Sequence, residues 1–255
     1  MYPTLFTIFG FEISTFGLMV ALGFLAGGWL VERYFKEADL DPEAAWRIVI
    51  YCAVGGILGS KLWFAAEMVF RGYPESFFTY AFTRRGGMTF YGGLIGGIVA
   101  ALVAIRIVKV PIAAVFNGAG PTMALGQSLG RMGCFLVGDC YGRVTDSWVG
   151  IAFPQGLPPT NVPVHPTQLY ECTWLALSAA LLWSRRRSSP FLFGEYLLLQ
   201  GLGRFWIEFF RVNPPLLGPL SQAQLVALGA VVAGIGGWLF IRSRPELQFR
   251  TLPRT

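Results

Sequence analysis

The chain has 255 residues, of which 54% are hydrophobic and only 13% are charged. Soluble domains usually carry about 25% charged residues, so this composition excludes an ordinary soluble protein and indicates a membrane protein. The formal net charge of +6 does not require a nucleic-acid partner, because basic residues that face anionic lipid on the inner leaflet account for most of it.

Crossing the hydrocarbon of a bilayer takes about 20 mostly apolar residues in a helix. Seven stretches meet this condition: 14–33, 47–70, 89–108, 111–137, 165–184, 190–211 and 219–241. They predict an all-α polytopic membrane protein, a single transmembrane domain over residues 1–255 with about seven transmembrane helices. Pro121 and several glycines interrupt the fourth stretch. Residues 1–12 contain no Lys or Arg, so the first stretch is expected to be a retained helix and not a cleaved signal.

The basic residues between the spans predict the orientation of the chain, since Lys and Arg concentrate on the cytoplasmic side of a membrane. An outside N-terminus places twelve of them on the cytoplasmic side: Arg33, Lys36, Arg47, Arg106, Lys109, Arg185, Arg186, Arg187, Arg242, Arg244, Arg250 and Arg254. It places five outside: Arg71, Arg84, Arg85, Arg143 and Arg211. We therefore expect the N-terminus outside and the C-terminus in the cytoplasm.

Three basic residues, Lys61, Arg131 and Arg204, remain at membrane depth. A cation at the centre of a spanning helix costs about 2.5–3.5 kcal/mol on insertion scales, so it usually faces a polar cavity or an ionic partner. Ion pairs within or between helices, such as Arg204 with Glu208 or Lys61 with Glu67, are one explanation. A shared anionic ligand is the other. The carboxylates near enough to neutralise the three cations are Glu67, Asp139, Glu171, Glu195 and Glu208.

The sixth span carries a polar stripe, because Gln200, Arg204, Glu208 and Arg211 recur at helical spacing. On a continuous helix with about 1.5 Å rise per residue, Arg204 and Arg211 would lie roughly 10 Å apart and could hold a lipid headgroup at two depths. Glu208 between them would orient either guanidinium. Arginine suits a phosphate because its planar fork donates two parallel hydrogen bonds and keeps its charge when desolvated.

Glycines four positions apart, Gly55 with Gly59 and Gly92 with Gly96, predict close packing by the second and third spans. Tyr91 opens the third span directly after a basic outer loop. We therefore expect Tyr91 near the outer mouth of a cavity.

The connection 138–164 is rich in Gly and Pro and is expected to form a small extracytoplasmic loop or cap. Cys134 and Cys140 lie near this outer mouth, where an oxidising environment allows a disulfide between them. Cys52 and Cys172 are expected to pack as buried apolar groups. The four cysteines form no C-x-x-C pattern, so the sequence suggests no metal site.

Four stretches resemble motifs of the bacterial prolipoprotein diacylglyceryl transferase family: GRMGCFLVGDCYGR (130–143), HPTQLYE (165–171), RFWIEFFR (204–211) and FYGGLIGG (90–97). The family's glycine–arginine motif is matched by Gly130, Arg131, Gly133, Phe135, Gly142 and Arg143. The resemblance covers most of the chain, with seven spans in the same order and an outside N-terminus.

The chain departs from this family pattern at several polar positions. Cys134 stands where the family has asparagine, Asp139 where it has glutamate, and Tyr91 where it has histidine. Gln200 replaces a tyrosine, and Lys61 replaces an arginine. The arginine framework is therefore retained while several of its hydrogen-bonding partners differ.

The resemblance implies transfer of a diacylglyceryl group from phosphatidylglycerol to the thiol of a cysteine in a prolipoprotein signal peptide, with release of glycerol phosphate. It implies a location in the bacterial cytoplasmic (inner) membrane, contact with membrane lipid, and no cofactor or metal ion. We expect Arg131 and Arg204 to converge on the phosphate in the outer half of the bilayer and to stabilise charge on the departing oxygen. Residues expected to contact the substrates are Lys61, Cys134, Arg143, His165, Gln200, Glu208 and Arg211.

A base or a positive field must remove the thiol proton, since a free thiol has a pKa of about 8.5. Tyr91 and Asp139 are the candidates, although Tyr91, with an ordinary pKa of about 10, has the alternative role of donating a hydrogen bond to the headgroup. Asp139 has the alternative role of counter-ion to Arg143. His165 precedes a proline at a helix start, where capping or loop anchoring is the common use. Cys134 as a nucleophile that carries the lipid covalently is a further alternative.

A non-enzymatic lipid-binding or transport protein built on the same helices is the alternative class. A transporter would show paired internal repeats with broken helices in corresponding positions. Only one span of this sequence is strongly interrupted, so we favour the enzyme.

Overall fold

The computed structural model describes residues 3–8, 11–83 and 87–249, and this part of the chain is mostly helical. Its seven α-helices are α1 (Thr15–Glu37), α2 (Pro42–Phe70), α3 (Phe90–Val108), α4 (Ile112–Val137), α5 (Thr167–Arg185), α6 (Leu192–Ile207) and α7 (Gln222–Arg242). Each overlaps one of the seven apolar stretches of the sequence. Of the basic residues used to predict orientation, Arg84, Arg85, Arg250 and Arg254 lie outside the described residues.

Four of the described helices, α1, α2, α3 and α7, are long and apolar enough to cross a membrane, as judged by length and composition. The protein is therefore a helical membrane protein. The helices α4 and α5 contain buried polar residues, namely Asn117, Ser128, Gln168 and Glu171, and α6 has only 16 residues.

Short antiparallel hairpins, which the sequence analysis did not predict, connect some of the helices. Among the described residues β1 (Thr4–Ile8) pairs with β2 (Phe11–Ser14), β3 (Ile151–Phe153) with β4 (Thr160–Val164), and β5 (Pro215–Leu217) with β6 (Leu220–Ser221). The β3–β4 hairpin lies within the 138–164 connection, and a bridge between Val144 and Val164 extends it. This connection is therefore an ordered substructure.

The described residues form two compact units, one of which is Phe35–Val115 and contains α2 and α3. These two helices pack through the glycines that the sequence predicts. A Cβ atom added at Gly96 would lie 2.9 Å from the Cα atom of Gly59, closer than a side chain tolerates. At the start of α3, the Ser60 hydroxyl donates a hydrogen bond to the carbonyl of Thr89 at 2.8 Å.

The other unit contains α1 up to Tyr34 and the chain from Phe116 onward. Within it α4 continues without a break through Pro121, which is fully buried. Proline cannot donate a hydrogen bond to the carbonyl four residues earlier, which belongs to Asn117. The Asn117 side chain ties α4 to α6, since its Oδ1 accepts the backbone N–H of Leu192 at 2.9 Å.

The sixth helix differs from the predicted span 190–211, because α6 ends at Ile207. The chain then tightens into a 3₁₀ turn over Glu208–Phe210, and Arg211 has an extended backbone. The predicted polar stripe is therefore interrupted before it reaches Arg211.

Candidate active site

Glu171 on α5 lies at the centre of a charged cluster formed by α4, α5 and α6. Its Oε1 accepts a hydrogen bond from Nη1 of Arg204 at 2.6 Å, and its Oε2 forms an ion pair with Nε of Arg131. The Glu171 side chain is only 6% exposed. Arg131 and Arg204, which come from separate helices, thus meet at one anionic group, and in the structure that group is Glu171.

Glu208, directly after α6, is the second buried carboxylate of the cluster. Its Oε2 lies 2.9 Å from Nη2 of Arg204, which is the ion pair that the spacing of the two residues suggested. Its Oε1 accepts hydrogen bonds from Nδ2 of Asn213 at 2.5 Å and from the Ser221 hydroxyl at 2.7 Å. Because Asn213 and Ser221 fix Glu208, this carboxylate orients the Arg204 guanidinium.

The 3₁₀ turn brings Arg211 back to the same cluster. Its Nη1 lies 3.5 Å from Oε1 of Glu171, and its Nε lies 3.8 Å from Oε2 of Glu208. Nη1 also donates a hydrogen bond to the carbonyl of Cys140 at 3.1 Å. Arg204 and Arg211 therefore contact the same carboxylate oxygen and are not separated along a continuous helix, because α6 ends between them.

The cluster has an excess of positive charge. Three guanidinium groups, those of Arg131, Arg204 and Arg211, face two carboxylates, those of Glu171 and Glu208, so these five side chains together carry a net charge of +1. The arginine side chains are 29%, 21% and 13% exposed, respectively. Charges interact more strongly in such a partly buried environment than in water, so the cluster is suited to one further anionic group.

The segment after α4 is fixed against the start of α5. The Gln168 side-chain amide donates a hydrogen bond to the carbonyl of Asp139 at 2.5 Å, and the Thr167 hydroxyl donates one to the carbonyl of Cys140 at 3.0 Å. Gln168 and Thr167 are fully buried. These bonds hold the segment beside the arginine cluster.

Asp139 has a buried carboxylate oxygen, Oδ1, with no hydrogen-bond partner among the described residues. Arg143 is held by its backbone, since its N–H donates to the carbonyl of Phe210 at 2.8 Å and its carbonyl accepts from the N–H of His165 at 3.0 Å. The Arg143 side chain is exposed, and in the described part of the chain it forms no ion pair with Asp139.

His165 packs at the start of α5. Its Nδ1 lies 3.1 Å from the Tyr170 hydroxyl, and its ring contacts the ring of Phe210 with centroids 4.9 Å apart. Burial, together with the charge of Arg143, lowers the pKa of His165 below its ordinary value. These contacts fit the anchoring role considered for a histidine that precedes Pro166.

Cys134, Asp139 and Cys140 form the single group of metal-ligating side chains that the described residues bring together. Their two Sγ atoms and a carboxylate oxygen lie within 4.8 Å of one another. This set offers three protein ligands beside the guanidinium groups of Arg131 and Arg211, whose charge opposes a cation. We therefore assign no metal to it.

A small cavity lies next to Arg204 and is lined in part by Glu171, Trp174 and Gln200. Its volume of about 10 Å³ has room for about one water molecule. Gln200 lies one helical turn before Arg204 on α6. This cavity is therefore too small for a lipid headgroup.

Comparison with known proteins shows the family of the chain. The family model for prolipoprotein diacylglyceryl transferase matches residues 3–240. The chain belongs to the prolipoprotein diacylglyceryl transferase family. A relative from Clostridium tetani, named phosphatidylglycerol–prolipoprotein diacylglyceryl transferase, is 32% identical over 242 residues, which cover 92% of this chain and 96% of the relative.

Two further relatives carry the same name. The protein from Geobacter sulfurreducens is 33% identical over 246 residues, covering 91% of this chain and 92% of its own. The protein from Nostoc sp. is 31% identical over 260 residues, covering 95% of this chain and 91% of its own. The similarity to transferases of this family therefore extends over nearly the whole chain.

Two residues predicted for the site of this family member, Lys61 and Tyr91, belong to the unit Phe35–Val115. Tyr91 lies in the first turn of α3 and is 55% exposed. Glu67, considered as a partner for Lys61, forms an ion pair with Arg71, the residue directly after α2.

Glu171 was missed as a site residue of this transferase family member, although its position held a signal. It ends the HPTQLYE motif and is a charged residue in a predicted membrane span, like Arg131 and Arg204. An acidic residue in a membrane span therefore indicates a functional site as strongly as a basic residue does. Gln168 and Ser221 gave no comparable signal, because neutral polar residues are common at helix starts.

Proposed function

We propose that the chain transfers the diacylglyceryl group of phosphatidylglycerol to the cysteine thiol of a prolipoprotein signal peptide. Membership of the family and the names of its relatives support this activity. The observation that carries it in this chain is the cluster of Arg131, Arg204 and Arg211, in which guanidinium groups outnumber carboxylates. Arginine is the side chain best suited to hold a lipid phosphate away from water.

In this proposal the donor phosphate binds by exchange with Glu171. The hydrogen bonds that Arg131 and Arg204 now direct to Glu171 turn to the phosphate oxygens, while Glu208 stays in place and keeps Arg204 oriented. Arg211 supplies the third positive charge. The other predicted contacts with the headgroup or the peptide are Lys61, Cys134, Arg143, His165 and Gln200.

The chemical step is attack of the substrate thiolate on the glyceryl carbon. A C–S bond forms, the C–O bond to the phosphate breaks, and glycerol phosphate leaves with the negative charge. Arg131 and Arg204 stabilise the charge that develops on the departing oxygen. Their positive field also favours ionisation of the substrate thiol.

We assign the thiol proton to Asp139. Its Oδ1 is buried and has no hydrogen-bond donor among the described residues, so it is ready to accept a proton. In this assignment Tyr91 keeps the other role considered for it, as a hydrogen-bond donor to the headgroup.

We further propose that α1 to α7 all cross the bacterial cytoplasmic membrane, with the N-terminus outside and the C-terminus in the cytoplasm. The polar residues of α4, α5 and α6 face one another in the cluster, while large apolar side chains such as Leu177, Leu181 and Trp206 are exposed on α5 and α6. Such surfaces suit contact with lipid tails. In this orientation the 138–164 connection with its β3–β4 hairpin forms the extracytoplasmic cap.

The activity can be tested with the purified chain in detergent micelles, phosphatidylglycerol and a peptide that contains a lipoprotein signal cysteine. We expect the peptide to gain one diacylglyceryl group by mass, with glycerol phosphate released in equal amount. Arg204→Ala should lower kcat/KM by about 10²–10³-fold, because it removes a charged donor from the transition state.

The matched control is Arg47→Ala, which removes an exposed arginine paired with Glu43 on α2 and should leave the rate unchanged. The proposal fails if the wild-type chain forms no product while phosphatidylglycerol still binds in an Arg204-dependent manner. That result would support the lipid-binding alternative.

A further inference from the structure

Cys134 and Cys140 form a thiol pair at the edge of the arginine cluster. Cys134 lies in the last turn of α4 and is 8% exposed, whereas Cys140 is exposed. Their Sγ atoms lie within 4.8 Å of each other, and a hydrogen bond joins them. One thiol of the pair is therefore accessible to a reagent, and the other is in place behind it.

The backbone holds the two sulfur atoms together. Gly138 and Cys140 both have left-handed backbone conformations, with φ of 82° and 58°, which reverse the chain after α4. The N–H groups of Gly138 and Asp139 both donate to the carbonyl of Cys134, at 2.9 and 3.1 Å. The Thr167 hydroxyl then fixes the carbonyl of Cys140. The approach of the two thiols is thus built into the fold.

The electrostatic surroundings favour a reactive thiolate at Cys140. The Arg211 guanidinium donates a hydrogen bond to the Cys140 carbonyl, and Arg131 lies one helical turn before Cys134. The hydrogen bond with Cys134 lowers the pKa of Cys140 to about 6. Burial and the nearby Asp139 carboxylate act against this shift, and the charges of Arg211 and Arg131 act with it. A thiolate beside arginine is the reactive form of cysteine.

We propose that Cys134 and Cys140 are a redox-active dithiol that closes reversibly to a disulfide by exchange with an oxidised small-molecule or protein disulfide. The Cys140 thiolate attacks one sulfur of the external disulfide, forms a mixed disulfide and releases the first thiolate. Cys134 gives its proton to that thiolate. The Cys134 sulfur then attacks the Cys140 sulfur of the mixed disulfide and expels the second thiolate, which takes a proton from water. Two electrons pass from the pair to the external disulfide, which becomes two thiols.

Closure changes the charge next to the arginine cluster. It replaces a thiolate beside Arg211 by a neutral disulfide, so an incoming phosphate no longer competes with the thiolate for the guanidinium groups. We therefore expect the oxidised chain to bind phosphatidylglycerol more tightly than the reduced chain. This consequence rests on the proposed function, whereas the disulfide itself does not.

The test uses the full chain in detergent micelles. The protein is first reduced and then treated with oxidised glutathione, and the reaction is quenched with acid. The protein is then alkylated under denaturing conditions and digested with trypsin. Because Arg131 and Arg143 flank the pair, one tryptic peptide, 132–143, carries both cysteines. We expect this peptide to lose two hydrogens and to take up no alkyl group, while Cys52 and Cys172 remain alkylated.

Two variants check the order of the steps. Cys134→Ser should trap glutathione on Cys140, and Cys140→Ser should leave the buried Cys134 unmodified. Cys52→Ser is the matched control, and its 132–143 peptide should oxidise like that of the wild type. The proposal is overturned if the wild-type peptide stays fully reduced, if it keeps glutathione on Cys140 without closing, or if it oxidises only after a chelator removes a bound cation.

The consequence for lipid is measured separately, by titrating oxidised and reduced protein with phosphatidylglycerol. Tighter binding by the oxidised form is the expected result. A disulfide that forms without any change in lipid affinity would overturn the charge argument alone, and absence of lipid binding in both forms would count against the proposed function.

Discussion

The α2–α3 pair and the cluster around Glu171 hold helices together in different ways. In the unit Phe35–Val115, α2 and α3 approach through Gly59 and Gly96, where no side chain separates their backbones. Around Glu171, the helices α4, α5 and α6 are joined by charges, and their guanidinium groups outnumber the carboxylates. The contact between the glycines involves no charged side chain, whereas in the cluster one guanidinium group has no carboxylate to balance its charge. The comparison teaches that the residues most costly to place among apolar helices are those with capacity left for a ligand.

Glu171→Gln should break the charged cluster with the largest effect. The variant keeps the size of the side chain but leaves three guanidinium groups with one carboxylate. Removing one partner of a buried ion pair costs about 3–5 kcal/mol, so we expect a loss of this order in the free energy of unfolding. Denaturant unfolding in one detergent, followed by circular dichroism, measures it.

The control for this variant is Glu43→Gln on α2, which breaks an ion pair with Arg47 whose side chains are 79% and 57% exposed. An exposed pair of this kind contributes only about 0–1 kcal/mol. Equal losses in the two variants would show that the Glu171 cluster is no stronger than a surface ion pair.

Gly96→Ala should break the glycine-packed pair with an intermediate effect. The new methyl group would meet the carbonyl of Gly55 and the Cα atom of Gly59, so α2 and α3 must move apart. Overpacking of this kind costs about 1–3 kcal/mol in the free energy of unfolding. Gly97→Ala is the matched control on the same helix, because its Cβ would make an ordinary contact of 3.8 Å with the Cys52 carbonyl. Equal stability of the two variants would argue against glycine packing as the contact.

Under reducing conditions, iodoacetamide should alkylate Cys140, beside the arginine cluster, severalfold faster than Cys52 on α2. Because the pKa of Cys140 is lowered to about 6, its labelling should rise as the pH passes about 6 and level off by about pH 7. Cys52, half-buried on α2, should label slowly throughout this range. Cys134→Ala removes the hydrogen bond and should move the Cys140 profile toward that of an ordinary thiol. Matching profiles for Cys140 before and after this substitution would contradict the assigned cause.

The helices of this chain could be predicted because apolar stretches of about 20 residues have few alternatives in a membrane. The interruption expected in the fourth span did not break α4, which continues through the buried Pro121. The end of α6 could not be predicted. A 3₁₀ turn differs from a further α-helical turn by a small shift in hydrogen bonding, which the spacing of Arg204 and Arg211 does not reveal.

Arg131 and Arg204 could be selected as site residues because a cation at membrane depth is costly wherever it lies. Their contact with Glu171 could not be predicted, because tertiary packing and not sequence spacing chooses the partner of a buried charge. The roles of Tyr91 and Asp139 in the reaction stay predictions. Their residue types allow more than one role, either proton acceptor or hydrogen-bonding partner.

The bridging carboxylate has a consequence for ligand exchange. Since Glu171 already occupies Arg131 and Arg204, an incoming anion displaces an internal group and not only water. The net binding free energy is then the difference between the interaction of the arginines with the anion and their interaction with Glu171. Even a phosphate with many contacts is therefore bound weakly. In the proposed reaction, Glu171 can return to Arg131 and Arg204 when the phosphorylated fragment departs, so the cluster is never left with Glu208 as its only carboxylate.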